Sequence, residues 1–363
     1  MRFARWPACL LSLVWTLLLL AAAPARSASA EAFAYVTNQG DGVSVIDLAT
    51  LKVARTIDVG RDPRGLGITP DGHYLVTANQ ADANVSVVDI ATGKTLHRIA
   101  VGKNAEFVRI GPDGRFAYVT YEPSSTGKPP GKGEGDKSAD GKSAEANEEE
   151  KPAEIAVIDL SKSEVAARLP ASPETEGMDF SLDGHELVVA NEGDNTVAVY
   201  DLHSGRVIKR IDVSSYGGNR PRGVKRSPDG TQFLVTLENS DNFLVLDSHY
   251  EVLKTIATGK GPYGVAFGPD GATVWIAAAR SQKLEVLDAK SFAPLASIPV
   301  GKRCWHFSFS PDGAKALVAC GRSDDVVVVD VAKREPITTL TGFHEPWGIV
   351  TYPQSSGSLE TPH

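Results

Sequence analysis

Seven residues able to bind or react recur at one place in a repeating phrase: Arg64, Glu106, Glu176, Arg222, Tyr263, Trp305 and Trp347. Each stands at the start of a short apolar run. Glycine follows directly at 65, 177, 223, 264 and 348, where a residue without Cβ lets the chain turn tightly. Arginine forks engage carboxylates bidentately, and tryptophan faces stack on planar or cationic groups. If the seven positions surround one axis, they form a binding funnel. The same residues permit a closed alternative, in which Arg64 and Arg222 pair with Glu106 and Glu176 while the aromatics fill the opening. Sequence leaves both readings open.

His306 and His344 flank two of the tryptophans and are the candidate metal or haem ligands. Alternation along a strand would turn His306 between blades if Trp305 faces the axis. The chain lacks C-x-x-C-H, so it carries no covalent c-type haem motif. It also lacks G-x-S-x-G, H-E-x-x-H and G-x-x-x-x-G-K-[ST]. No catalytic residue and no metal set is expected.

The elements that would position this column repeat. Aspartates closing alternating apolar runs fall at Asp47, Asp89, Asp159, Asp201, Asp247, Asp288 and Asp330, separated by 42, 70, 42, 46, 41 and 42 residues. A (P/L)DG turn recurs in phase at Asp71, Asp113, Asp183, Asp229, Asp270 and Asp312. Each unit holds four strand-like runs, as in GLGIT, YLVTAN, VSVVDI and LHRIAV, joined by turns whose Asp and Gly suit tight hairpins. Four strands per unit of about 42 residues predict an all-β, seven-bladed β-propeller with four-stranded antiparallel blades. The first unit lacks its inner strand, and PWGIVTY is a spare inner strand at the other end. Pairing the N-terminal strands with it closes the ring and removes a free edge.

Residues 1–30 read as a leader: Arg2 and Arg5 precede an apolar run of about sixteen residues, and Ala28-Ser29-Ala30 follows. A bilayer span needs roughly twenty, so an exported, periplasmic protein with no membrane span after cleavage is expected. Without the leader, Lys+Arg falls from 37 to 34 against 45 Asp+Glu, a net charge of −11. Such a chain repels phosphate backbones, and nucleic acid is excluded as a partner. Cys304 and Cys320 lie symmetrically about the turn at Asp312, eight residues to either side, which predicts a cross-strand disulfide. The propeller is expected over 31–353, with a disordered charged insertion at about 123–153 between the second and third strands of its blade. Residues 354–363 read as a flexible tail.

The phrases AYVTN, GVSVIDL and PRGLGITPDG resemble the YVTN-repeat β-propellers over residues 32–352. The order PRGLGITPDG, TEGMDFSLDG, VGKRCWHFSFSPDG and EPWGIV is similar to β-propeller proteins associated with PQQ-dependent alcohol catabolism. The charged insertion and Pro-Tyr-Gly at 262–264 depart from that pattern. The resemblance implies an accessory binding or scaffold protein, with PQQ as a candidate ligand and a quinoprotein dehydrogenase or cytochrome c as a candidate partner. Haem-d1 propellers of denitrification share YVTN-like repeats, and they supply the alternative of a tetrapyrrole-binding or -modifying protein with His306 or His344 as axial ligand. A general protein-interaction platform is the third reading.

Overall fold

The computed structural model describes residues 31–40, 42–122 and 153–360, together with Met1. Apart from Met1 and Ala153, the leader read over 1–30 and the insertion read over about 123–153 lie outside the described residues. Seven antiparallel sheets form the blades of a propeller, six of four strands and one with a short fifth strand, and in all but one the four main strands are consecutive from the axis outward. Phe33–Asn38 pairs with Pro346–Tyr352, so one blade is built from both ends of the chain as the repeat pattern required.

One blade shows how the sequence builds them all. Its strands are Pro63–Ile68, Tyr74–Asn79, Asn84–Asp89 and Lys94–Ala100. Between the first two, Asp71 Oδ1 accepts from Thr69 Oγ1 at 2.6 Å and from His73 N at 3.0 Å, while Gly72 takes φ +71°. Asp89 Oδ1 caps the next turn by accepting from Thr92 N at 2.7 Å, and Gly93 takes φ +67°. Asp and Gly recur there because an Asx side chain can close the turn and Gly tolerates positive φ. The third strand (VSVVD) is buried on both faces because neighbouring blades cover it. The fourth (KTLHRIA) faces solvent and is largely polar or exposed.

Two deviations from a regular strand shape the axis. Along every inner strand the pairing slips by one residue near its start, as from Pro63↔Asn79 to Leu66↔Thr77. Such a bulge breaks simple alternation of side chains. The residue before each inner strand is left-handed: Asp62, Asn104, Glu174, Arg220, Gly261, Arg303 and Glu345 have φ from +44° to +64°. For a residue with a Cβ this costs roughly 1 kcal/mol, so six of these turns are held by their surroundings.

Cys304 and Cys320 are register partners and are bonded, with Cα atoms 3.7 Å apart. The tail expected over 354–363 is corrected over its described part. Ser356 and Gly357 add a short strand beside Phe309 and Ser308, and Leu359 and Glu360 are buried. The segment finds partners on the axis that its own composition does not reveal, and only residues 361–363 lie outside the described part.

Candidate functional site: a charged mouth above a filled axis

The seven predicted positions are all second residues of inner strands, and four of them form two ion pairs. Arg64 Nη1 bonds Glu106 Oε1, and Arg222 Nη1 bonds Glu176 Oε1. These are the pairings of the closed alternative. Tyr263 joins them: its hydroxyl accepts from Arg222 Nη1 at 3.2 Å, and the guanidinium lies 4.7 Å from the ring centroid. Trp347 turns toward the axis, with its ring 6.5 Å from that of Tyr263. Trp305 leaves the group and lies against Gly321 of its own blade, where a Cβ would meet the indole at 1.8 Å.

His306 is the principal correction. It points onto the axis, with its ring centroid 4.3 Å from Trp347, 5.4 Å from Tyr263 and 6.2 Å from Phe107. The expectation that it points between blades held only if Trp305 faces the axis, and Trp305 instead packs on its own blade beside the bulge between Cys304 and His306. Its Nδ1 lies 3.0 Å from Ser358 Oγ, and burial pushes its pKa well down, so the ring is neutral. His344 is exposed at the mouth, with Nδ1 bonded to Gln39 O. Among the described residues, no cluster of three or more His, Cys, Asp or Glu is placed to hold a metal ion.

Sequence reading recognised the glycine column but not what its exceptions do, and it missed a further column of acids. The third residue of the inner strands is glycine in five blades, and the two exceptions, Phe107 and His306, are the side chains that fill the axis. The glycines let neighbouring inner strands approach: a Cβ on Gly177 would meet Arg222 O at 2.3 Å, and one on Gly65 would meet Glu106 O at 2.5 Å. The residue after each second strand forms the other column, with Glu122, Glu192 and Glu238 in three successive blades. Those acids line one side of the mouth. Arg222 pairs with Glu192 and, at 2.8 Å, with Glu238. Glu238 also meets Arg220 at 3.2 Å, Arg280 at 3.1 Å and Arg303 at 3.2 Å.

Electrostatics separates these acids. Burial pushes Glu176 up to about 7 against the pull of Arg222, and burial raises Glu192 well above an ordinary carboxylate. Burial would raise Glu238 as well, but Arg222, Arg220 and Arg280 bring it down to about 2. Glu238 is therefore the fixed anion of the mouth.

Beneath the rings, the axis is occupied by the chain's own C-terminal segment. Ser358 Oγ accepts from Phe307 N at 3.0 Å. Arg109 Nη1 donates to Leu359 O at 2.9 Å and Glu360 Oε2 at 2.8 Å, and its Nη2 donates to Asp179 Oδ1 at 2.7 Å. Two cavities, of about 540 and 440 Å³, open elsewhere, one beside Glu285 and Phe292 and the other beside Arg61 and Arg98.

Together these features define a seven-bladed β-propeller with an ion-paired mouth and an axis filled by its own chain. Residues 21–102 and 154–252, just under half of the chain, match the family model described as lactonase, 7-bladed β-propeller. No curated protein sequence matches significantly. Solved structures do. Hydrazine synthase of Kuenenia stuttgartiensis is 24% identical, covering 82% of this chain and 92% of that one at TM-score 0.65. The periplasmic gluconolactonase PpgL of Pseudomonas aeruginosa is 18% identical, covering 90% and 100% at TM-score 0.68. The dihydro-heme d1 dehydrogenase NirN, solved in complex with DHE, is 18% identical, covering 87% and 74% at TM-score 0.59. At these identities the likeness is one of fold. It supports the propeller class and not the finer kinship with PQQ-associated propellers.

Proposed function

We propose that this protein is an exported, non-catalytic binding propeller that engages its ligand or partner across the mouth. One observation carries the reading. The axis is occupied by the rings of Phe107, Tyr263, His306 and Trp347 and, below them, by residues 356–360, whereas charged groups of the mouth remain in reach of solvent. A periplasmic PQQ-dependent alcohol-oxidation system is the proposed context, supported by the order of the Arg-Gly, Glu-Gly, Arg-x-Trp and Pro-Trp-Gly motifs. Its test is co-elution of the purified protein with PQQ, with a quinoprotein dehydrogenase, or with that enzyme's cytochrome c. Stable co-elution with one of them is expected, and failure with all three removes the context.

A second reading, lactone hydrolysis, draws on the family match and on Glu176. A buried carboxylate held near 7 beside Arg222 and Tyr263 has the character of a general base. Hydrolysis of a gluconolactone that disappears in Glu176→Gln would support it, and turnover no faster than buffer would end it. For the tetrapyrrole alternative the exposed His344 remains the candidate ligand, since His306 is buried and bonded to Ser358. Haem titration reads it directly: no Soret shift, or a shift unchanged by His344→Ala, rejects that role.

A further inference from the structure

Four guanidinium groups from three blades converge on one carboxylate, Glu238. Arg222 lies in the inner strand Pro221–Arg226, and Arg220 is the left-handed residue before it. Arg303 is the left-handed residue before Cys304–Phe309, and Arg280 follows the strand Thr273–Ala278. A carboxylate has about four acceptor sites, whereas each guanidinium offers five N–H donors, so Glu238 leaves most of them over. Arg222 spends others on Glu176, Glu192 and Tyr263, and Arg220 pairs with Glu192. Among the described residues, the Arg303 side chain makes one hydrogen bond, to Glu238, and the Arg280 side chain adds only Asn239. Among the described residues, the buried Nε of Arg280 has no hydrogen-bond partner, while that of Arg220 lies 3.2 Å from Glu238 Oε2. Yet the side chains of Arg220, Arg280 and Arg303 keep 29%, 25% and 24% of their surface in solvent.

The result is a cationic patch on an acidic protein, with planar donor forks held in place by a buried anion. We infer that this cluster is a subsite for a carboxylate, seated on the solvent side of Glu238 against Arg280 and Arg303. The inference rests on the mouth being the binding face, and it adds the chemistry that the mouth selects. The carboxylate can belong to a small polycarboxylate or to acidic side chains of a protein partner.

The test is calorimetric titration of the full chain at low salt with two probes, citrate and a hexaglutamate peptide. Saturable binding of at least one is expected, weakening at least tenfold in the double variant Arg280→Gln/Arg303→Gln. Arg61→Gln, an exposed arginine paired with Asp82, should leave it unchanged. Preference for citrate or for the peptide assigns the source. Circular dichroism and an unchanged melting transition show that the double variant is folded. If it unfolds, the single Arg303→Lys, which keeps the charge and loses the fork, must weaken binding instead. Absence of saturable binding for both probes overturns the inference, as does binding indifferent to these substitutions. Co-elution with a partner that survives the double variant would overturn the subsite and leave the binding function standing.

Discussion

Arg109 and Glu360 stand 251 residues apart in sequence and form a 2.8 Å salt bridge on the propeller axis, with the Arg109 side chain wholly shielded from water. The bond fastens the end of the described chain inside the ring, and Asp179 completes the arrangement on the other side of Arg109 at 2.7 Å.

Replacing Arg109 by Met removes one partner from two buried carboxylates. Breaking a buried pair in this way costs about 3–5 kcal/mol, because the remaining charge is left without compensation. Urea unfolding of Arg109→Met should show that loss. A loss under about 1 kcal/mol would mean that the C-terminal segment does not occupy the axis in solution.

Acidity gives an independent reading of the same contact. Burial pushes Glu360 up to about 7 from an ordinary 4.5, against the pull of Arg109. The folded state then holds the extra proton, so this contribution is full below pH 4.5 and is lost as the pH rises through about 7. Burial lowers Lys225 from 10.5 to about 7, with the opposite sense: its contribution is present above 10.5 and lost as the pH falls through 7. Melting temperature should therefore decline between pH 4.5 and 7, and Glu360→Gln should shrink the decline. Glu176, also near 7, accounts for part of what remains. Parallel profiles for wild type and variant would refute the assignment to Glu360.

The Cys304–Cys320 bond closes a loop with a sequence separation of 16. Loops of that size constrain the unfolded chain by about 3 kcal/mol in the chain-entropy model. Cys304→Ser/Cys320→Ser should lose about 2–4 kcal/mol in chemical unfolding, and reductant should bring the wild type down to the same level. Insensitivity to reductant would show the thiols to be unpaired.

Gly177 tests how closely the inner strands approach. A Cβ there would meet Arg222 O at 2.3 Å, so Gly177→Ala forces two blades apart at a cost of roughly 1–3 kcal/mol. Gly217→Ala is the comparison: nothing lies within 4 Å, and only its φ of +69° resists, at roughly 1 kcal/mol. Equal losses in thermal unfolding would mean that the inner strands are free to separate.

Blades, closure and disulfide were legible because each follows from a local rule repeated along the chain: strand alternation, Asx-Gly turns and hairpin symmetry. The closed pairing of Arg64 with Glu106 and of Arg222 with Glu176 was legible as one of two alternatives. His306 was placed between blades only on the condition that Trp305 faces the axis, and the sequence does not reveal the bulge after Cys304 beside which Trp305 turns onto Gly321. Phe107 was readable in principle, as one of two exceptions in a column of glycines. Arg220, Arg280, Arg303 and Glu238 lie outside the aligned column, in turn residues that only the ring geometry unites. The segment SSGSLE carries no periodicity, and its affinity for the axis exists only once Arg109 and Phe307 are in place.

The blade shared by Phe33–Asn38 and Pro346–Tyr352 sets an order of events for any chain that emerges amino end first, from a ribosome or through a translocation pore. Until residue 352 has emerged, the opening strands have no neighbour on their inner side, and the circle stays open whatever the middle repeats have done. Residues 346–352 thus act as a latch for residues 33–38. Closure of the ring is thereby tied to the emergence of residue 352, and a chain cut short before it would present an unmatched strand to every chaperone and protease it meets.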